Sequence, residues 1–522
     1  MSNRSIWDRL YLAVMAVAAL AVLLVFRDYG ITWDEPLHVE YGRRALDWYL
    51  SLGADRDVLT YQNLALYGAL YDTAAAGLAE LLQADPYDVR RLLGGMVGLL
   101  GVAAVRRAGI DLSGPRVGTL AALLLLLTPD WWGHAFNNPK DAPFAVAGAW
   151  ALVFAIRVAK TLPRPPLPDL AGLGLALGAG MGIRVGGILF AAPLAFAGLA
   201  WIAGRLREGG APAAVARETG RAALVLLAAA LLAWMVMVAA WPWAQLDPLS
   251  NPLRALSEFS NFPLDFTFTF AGERLRTTAL PWWYLPTGFA VKVPLVLLAA
   301  VLLAAGMGIL SVFRGRFKPP RVALAAAILV PPAIVISTGA VLYDGIRHML
   351  FILPPLSLAA ALAINKAAKA VAPERARLGW GLLALGALVH LAGAARLHPY
   401  ETIWYNALVG GVPGAAGRFE LDYWGSAMSE AARDLTETLV RREGASSVVA
   451  PHRVSFCGPP DSARYRLPPH WRSVEPDEPA DFHIAHTRSA CAGAPSGPEI
   501  VRVERAGVPL AYVLDLRPSR AP

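Results

Sequence analysis

Long, nearly uncharged apolar runs recur along the chain, among them residues 10–26, 222–240, 293–310 and 322–337. Each is close to the ~20 residues a helix needs to cross a ~30 Å hydrocarbon core. Lipid offers the backbone no hydrogen-bonding partners, so such runs must close their own ladders as helices. Charged residues make up 16% of the 522, against roughly 25% in average soluble domains. The reading is an all-α polytopic membrane domain.

Spans are expected near 10–26, 91–108, 115–129, 143–159, 168–183, 186–203, 221–240, 286–310, 322–339, 350–365 and 378–396, about eleven in all. The first is followed directly by Phe26-Arg27-Asp28-Tyr29, with no small-residue cleavage site, so it reads as a retained span rather than a signal peptide. Alternate connections carry the basic residues: Arg106, Arg107 and Arg116, then Arg157, Lys160 and Arg164, then Arg205 to Arg221, Arg314 to Arg321, and Lys366 to Arg377. Positive-inside logic puts these in the cytoplasm, the N-terminus with them, and the C-terminal region outside. This explains the net charge of +8 without a nucleic-acid partner.

The external connections are elaborate. In the first, Leu37, Tyr41, Ala45, Trp48 and Leu52 recur at helical spacing, as in an amphipathic helix on a membrane surface. Residues 67–82 are apolar but broken by Asp72 and Glu80; as a span they would reverse all later orientations, against the charge alternation. Another connection, about 241–285, is rich in Trp, Phe and Pro. From His398 the spans give way to a helical stretch near 427–442 and β-prone runs at 447–449, 482–485, 499–503 and 510–514. The division expected is a membrane domain, 1–397, and a small α/β extracytoplasmic domain, 398–522. The two cysteines, Cys457 and Cys491, both lie in the latter. Their spacing suits no structural zinc site, and an oxidising compartment would let them pair.

Four polar clusters fall on the external face: Asp34-Glu35 with His38; His134, Asn137, Asn138, Lys140 and Asp141; Arg184; and Asp344, Arg347 and His348. Ionisable groups at the membrane boundary are costly and usually functional. Each has an ordinary alternative. Asp34-Glu35-Pro36 makes a good helix start. Asn137-Asn138-Pro139 makes a good turn. Asp344 and Arg347 are spaced as a local ion pair, Arg184 can snorkel, and His134 can be a lone interfacial histidine. None of these accounts for the shared face.

Thr32-Trp33-Asp34-Glu35-Pro36-Leu37-His38, opening the first external connection, resembles the signature of family 39-type glycosyltransferases with the C-type membrane fold. These include the protein O-mannosyltransferases and the aminoarabinose transferases. Gly133 to Pro143 resembles the second acidic loop motif, between spans three and four; Tyr343 to His348 and Leu421 to Gly425 look like parts of a bacterial subgroup. The resemblance implies a polyprenyl-phosphate sugar donor and an acceptor hydroxyl on a glycan, lipid or protein, reached from outside the inner membrane. Asp34 is then the natural base, with Glu35 beside it in the catalytic pair, positioning the acceptor or a metal. His134, Asn138, Lys140 and Asp141 form the second acidic loop, and Arg184, Arg347 and His348 meet the donor phosphate. No cofactor is called for; a divalent cation on Asp34, Asp141 and His134 is compatible, but no spacing demands it. The competing class is a transporter or flippase for a lipid-linked substrate, which would carry its charges near mid-span and show a two-half repeat. A third is a non-catalytic relative whose external domain binds envelope polymers.

Overall fold

The computed structural model describes residues 5–260, 264–316, 318–475, 477–488 and 495–518. Nine described helices are long and apolar enough to cross a bilayer, and two shorter apolar helices, Pro115–Leu126 and Leu167–Met181, stand at the third and fifth expected positions. The chain is a multi-pass membrane protein. Its outer helices confirm what surrounds them. Leu20, Leu23 and Leu24 on Ile6–Val25, Leu302 and Ile309 on Leu295–Phe313, and Leu382, Leu385 and Leu388 on Pro373–Ala395 are all exposed. Apolar faces of that extent suit hydrocarbon, not water. Asp141–Thr161 and the helix ending at Lys369 are largely buried and form the bundle centre.

Helix starts follow the local chemistry. Ser5 and Asp8 form a reciprocal capping box on the first span, and Asp85 accepts from the Tyr87 and Asp88 amides at 3.0 Å to start Pro86–Ser113. At one end of the bundle Asp8 meets Arg106, Arg157 meets Asp111 and Asp169 at 3.0 Å, and Arg116 stacks on Trp7 and Trp380. The N-terminal helix start and the connections bearing Arg106, Arg116 and Arg157 therefore meet at one end.

The other end is irregular. At 1.5 Å per residue, the 12 residues of Pro115–Leu126 reach only about 18 Å and the 15 of Leu167–Met181 only about 22 Å. Non-helical backbone follows at 127–128, 138–140, 182–184 and 340–346. Within a membrane protein such backbone survives where protein buries it or it lines a cavity. Residues 286–310, expected as one span, are two helices, Tyr284–Lys292 and Leu295–Phe313. Pro294 lacks the N–H to continue the first, and Val293 before it is extended.

The first connection folds as expected into a surface helix, Glu35–Leu50, packed on Leu70–Leu82. The latter is 13 residues long and carries a buried Asp72 paired with Arg90, unlike the nearly uncharged apolar runs. The aromatic connection contains helices Pro242–Leu246 and Ser250–Ser260 and a hairpin of β1 (Thr267–Phe270) with β2 (Glu273–Arg276).

Toward the C-terminus, helix Ala427–Glu443 packs on a five-stranded sheet of order β4-β3-β5-β7-β6. The strands are β3 (Arg453–Cys457), β4 (Arg472–Val474), β5 (Phe482–His486), β6 (Glu499–Arg505) and β7 (Val508–Asp515). β4, β3 and β5 run parallel; β7 is antiparallel to both β5 and β6. Leu435, Leu439, Phe482, Ile484, Val503, Leu510 and Val513 fill the core between helix and sheet. Cys457 is disulfide-bonded, and Cys491 lies outside the described residues. Residues 447–449, read as β-prone, belong instead to a short helix, Ser446–Val449. The intervening segment turns back: Tyr405, Ala415 and Phe419 join the membrane core, and the Arg418 carbonyl accepts from the Gly272 amide at the hairpin turn at 2.9 Å.

Candidate active site

The interruptions converge. Arg347, 2% exposed, places Nη1 3.2 Å from Asp141 Oδ2 and 4.0 Å from Asp34 Oδ2, and Nη2 3.1 Å from Asp344 Oδ2. Asp141 also meets Arg184, and Asp344 Oδ1 meets Arg488 Nη2 at 2.6 Å. Arg488 Nε reaches Glu420 Oε2 at 3.3 Å. Charges of opposite sign thus alternate through Arg184, Asp141, Arg347, Asp344, Arg488 and Glu420. Asp344 stands at φ +58° with Gly345 beside it at +68°, a left-handed turn that is costly for aspartate and persists where the surroundings over-determine it.

Asp34 sits on the flank of this ladder. Its residue position is the N-cap of Glu35–Leu50, yet its side chain makes no cap hydrogen bond. The carboxylate faces Lys140 Nζ at 3.4 Å instead and is 26% exposed. Burial raises its pKa, but Lys140 and Arg347 outweigh burial and hold it at about 2. Asp34 is therefore ionised and reachable. Glu35 is placed differently. It is 1% exposed and accepts from the Thr32 amide at 2.7 Å and the Thr32 hydroxyl at 3.1 Å, facing Arg91 and Arg90. The helix-start role falls to Glu35, and Asp34 is left over for something else.

The second motif lies on helix Pro129–Asn137 and the residues after it. That helix presses on Pro86–Ser113 at Gly94, where a Cβ would lie 2.2 Å from the Ala135 carbonyl oxygen. Asn138 ties the motif together. Its Oδ1 accepts from the Asp141 amide at 2.8 Å, and its Nδ2 donates to Asp141 Oδ2 at 3.0 Å and His134 Nδ1 at 3.2 Å. With Nδ1 accepting, the imidazole proton sits on Nε2, which faces Tyr423 Oη at 3.3 Å. Burial, opposed by Asp141, lowers His134 to about 3. It is neutral and acts as a brace. His348 stacks edge-on against Tyr343 at 4.7 Å, and its buried Nδ1 has no hydrogen-bond partner among the described residues. Lys140 and Arg184 both lie over the Tyr67 ring.

Asp34, Lys140, Asp141, Arg184 and Arg347 are thus brought together; His134 and Asn138 join through hydrogen bonds; Glu35 faces away. Among the described residues no group of three or more His, Cys, Asp or Glu is arranged to hold a metal ion. Each ladder carboxylate already meets a cation.

No family model matches the chain, and no curated protein sequence does. Solved structures do. Apo ArnT from Cupriavidus metallidurans is similar over 96% of this chain and 97% of its own, with 16% identity and a TM-score of 0.52. The chain has the C-type glycosyltransferase fold. ArnT bound to undecaprenyl phosphate also matches (15% identity, 96% and 98% covered, TM-score 0.49). So does the oligosaccharyltransferase AglB from Archaeoglobus fulgidus in complex with an inhibitory peptide and a dolichol-phosphate (12%, 92% and 70%, 0.48). The C-type fold is the one that the two loop motifs led us to expect.

Within this fold, sequence reasoning missed Arg488 and Glu420, whose partners lie far off in sequence. It also missed the buried pair of Lys292 and Asp130 at 3.1 Å, which anchors the motif helix while Lys292 donates to the Thr402 and Trp404 carbonyls at 2.6 and 2.8 Å. Lys292 had a signal: it is a lone charge inside residues 286–310.

Proposed function

We propose that the protein is a membrane glycosyltransferase that moves a sugar from a polyprenyl-phosphate donor to an acceptor hydroxyl on the external face of a bacterial inner membrane. The observation that carries this reading is the ionised, partly exposed Asp34 carboxylate beside Lys140 and Arg347. A base and a phosphate-binding cation set stand within a few ångströms of each other, as transfer from a sugar phosphate requires. The external assignment rests on the connections bearing Arg106, Arg116 and Arg157 lying at the opposite end.

The chemistry follows. The acceptor hydroxyl gives its proton to Asp34 as its oxygen bonds the anomeric carbon. The bond from that carbon to the phosphate oxygen breaks, and the electron pair leaves with the polyprenyl phosphate. Lys140, Arg347 and Arg184 meet the charge developing on that phosphate, with His348 beside them. A single displacement inverts the anomeric centre. Docking of the phosphate also changes Asp34: as Lys140 and Arg347 turn to the donor, their hold on the carboxylate weakens and it becomes a stronger base. Glu35 acts as a positioning residue that fixes the start of the helix behind Asp34.

The test is turnover of synthetic polyprenyl-phosphate sugars, with a panel of acceptors, by wild-type protein and Asp34→Asn in nanodiscs. Wild-type turnover absent from Asp34→Asn supports the reading. Full activity of the variant removes Asp34 as base, and movement of lipid-sugar across liposomes without turnover makes the protein a transporter.

A further inference from the structure

A second cavity, of about 330 Å³, opens where the start of the first external connection meets the C-terminal sheet region. None of the residues lining it belongs to the ladder around Arg347. Arg27, Arg433, Arg466 and Arg505 face it against two carboxylates, Asp28 and Glu430. Both carboxylates are already engaged. Glu430 accepts from Tyr400 Oη at 2.7 Å and meets Arg505 at 2.8 Å, and Asp28 meets His398 Nε2 at 3.0 Å. Arg433 pairs with Asp434 at 3.2 Å. The remaining two arginines are held loosely. Arg27 meets Asp88 through Nε at 2.9 Å with its side chain 72% exposed. Arg466 donates to the Arg27 carbonyl at 3.4 Å and meets no carboxylate within 4.0 Å among the described residues. The wall therefore carries positive charge that its own acids do not absorb.

Size and position narrow the ligand. The volume falls within the ~300–1,000 Å³ of small-molecule pockets, room for a headgroup rather than a lone ion. Arg27 follows the end of the first span, Val25, by two residues, which sets the mouth at the level of lipid headgroups. Guanidinium groups present planar pairs of donors suited to phosphate oxygens.

We propose that this cavity binds the net-anionic phosphate headgroup of an acidic membrane lipid, with Arg27 and Arg466 holding the phosphate. The site also touches the catalytic frame. Gly30 forms part of its wall and is clamped against the C-terminal region, since a Cβ there would lie 2.2 Å from the Ser426 carbonyl oxygen. From Gly30 the chain runs four residues to Asp34, at most about 14 Å at ~3.5 Å per residue. A headgroup seated here steadies the segment that carries Asp34, the base of the proposed function.

Full-length protein in detergent micelles, titrated with phosphatidic acid and with phosphatidylcholine under native mass spectrometry, tests this without any sugar transfer. Its failure is thus separate from failure of the transferase reading. We expect retained phosphatidic acid whose affinity drops at least about tenfold in Arg27→Gln/Arg466→Gln and changes less than about twofold in Lys140→Gln, which alters the other cation set. Arg466→Gln alone, which gives up a contact to a backbone carbonyl and one to the Tyr465 ring, should show part of the loss with a melting temperature within about two degrees of wild type. Equal retention by wild type and both arginine variants overturns the proposal. So does equally tight phosphatidylcholine binding. Binding of inorganic phosphate at the same affinity as phosphatidic acid overturns the lipid as the source of the phosphate.

Discussion

Two ion networks flank the same surface helix, Glu35–Leu50, and they are built to opposite specifications. Behind it, Asp72 is closed in: His38 Nδ1 lies at 2.9 Å, Arg90 Nη2 at 2.5 Å, and the carboxylate is 6% exposed. In front, Asp34 is held by Lys140 at 3.4 Å and Arg347 at 4.0 Å and is 26% exposed. Both carboxyls lie below their usual range because neighbouring cations outweigh burial. The difference is in what each can still do. Short contacts to both oxygens of a buried carboxylate make a fastener that little else can reach. Loose contacts leave an anion whose partners can be drawn off by a stronger one. Sequence position does not separate these cases, since Asp34 and Asp72 are both acids of the first external connection.

The comparison breaks most easily at Asp34. Asn in its place should lower turnover by about 10² to 10⁴, the usual range for a general base, while the melting temperature in nanodiscs stays within a few degrees. A similar melting loss would make Asp34 a fastener too. Asp72→Asn should do the reverse. It leaves Arg90 buried without its counter-charge, a change worth about 3–5 kcal/mol, seen as a lowered melting temperature, with turnover per folded molecule within about fivefold. Next is Lys140→Gln. Loss of one charge-assisted phosphate contact is worth about 1.5–3 kcal/mol, so kcat/KM for the donor should fall by about 10- to 100-fold; an unchanged value removes Lys140 from the donor site.

Acid dependence sharpens the contrast further. As the proposed base, Asp34 must be ionised, and in the free protein it stays so down to about 2. Its contribution to kcat/KM is therefore flat between about pH 4 and 7 and is lost only below that. Once the donor phosphate engages Lys140 and Arg347, the carboxyl moves back toward 3.8, so the acid limb of kcat should lie at higher pH than that of kcat/KM. Coincident limbs would show that the donor leaves the cations where they are. The smallest effect is expected from Glu35→Gln, which keeps an acceptor for Thr32. Turnover should fall less than about tenfold, and a larger loss would return Glu35 to the reacting groups.

Much of this arrangement is legible before any coordinates. The spans are visible because hydrocarbon demands uninterrupted apolar length, and Glu35–Leu50 and Ala427–Glu443 because a helix buried on one side repeats every 3.6 residues. The rest fails for identifiable reasons. Strand Arg453–Cys457 is short and lacks strict alternation, and Arg472–Val474 is a three-residue edge strand exposed at two positions; Val448 and Val449 are β-branched but sit in one helical turn. At the site, Asp34, Lys140, Asp141, Arg184 and Arg347 stand out as charges at the ends of apolar runs. Arg488 does not, because it lies among many polar residues and its partner Asp344 is 144 positions away. The division of labour between Asp34 and Glu35 was also hidden. Adjacent carboxylates look alike until the chain's turn at Thr32 decides which one faces its own helix.

Arg347 is shared among carboxylates from three different connections: Asp34 from the first, Asp141 from the one after the third span, and Asp344 from its own. A chain whose connections fail to meet at one end leaves this buried guanidinium short of counter-charge. Misrouted molecules thus acquire no weakened version of the site; they are left with a defect. The constellation serves as a checksum on topology, satisfied when every crossing has been made in the right direction and failing otherwise.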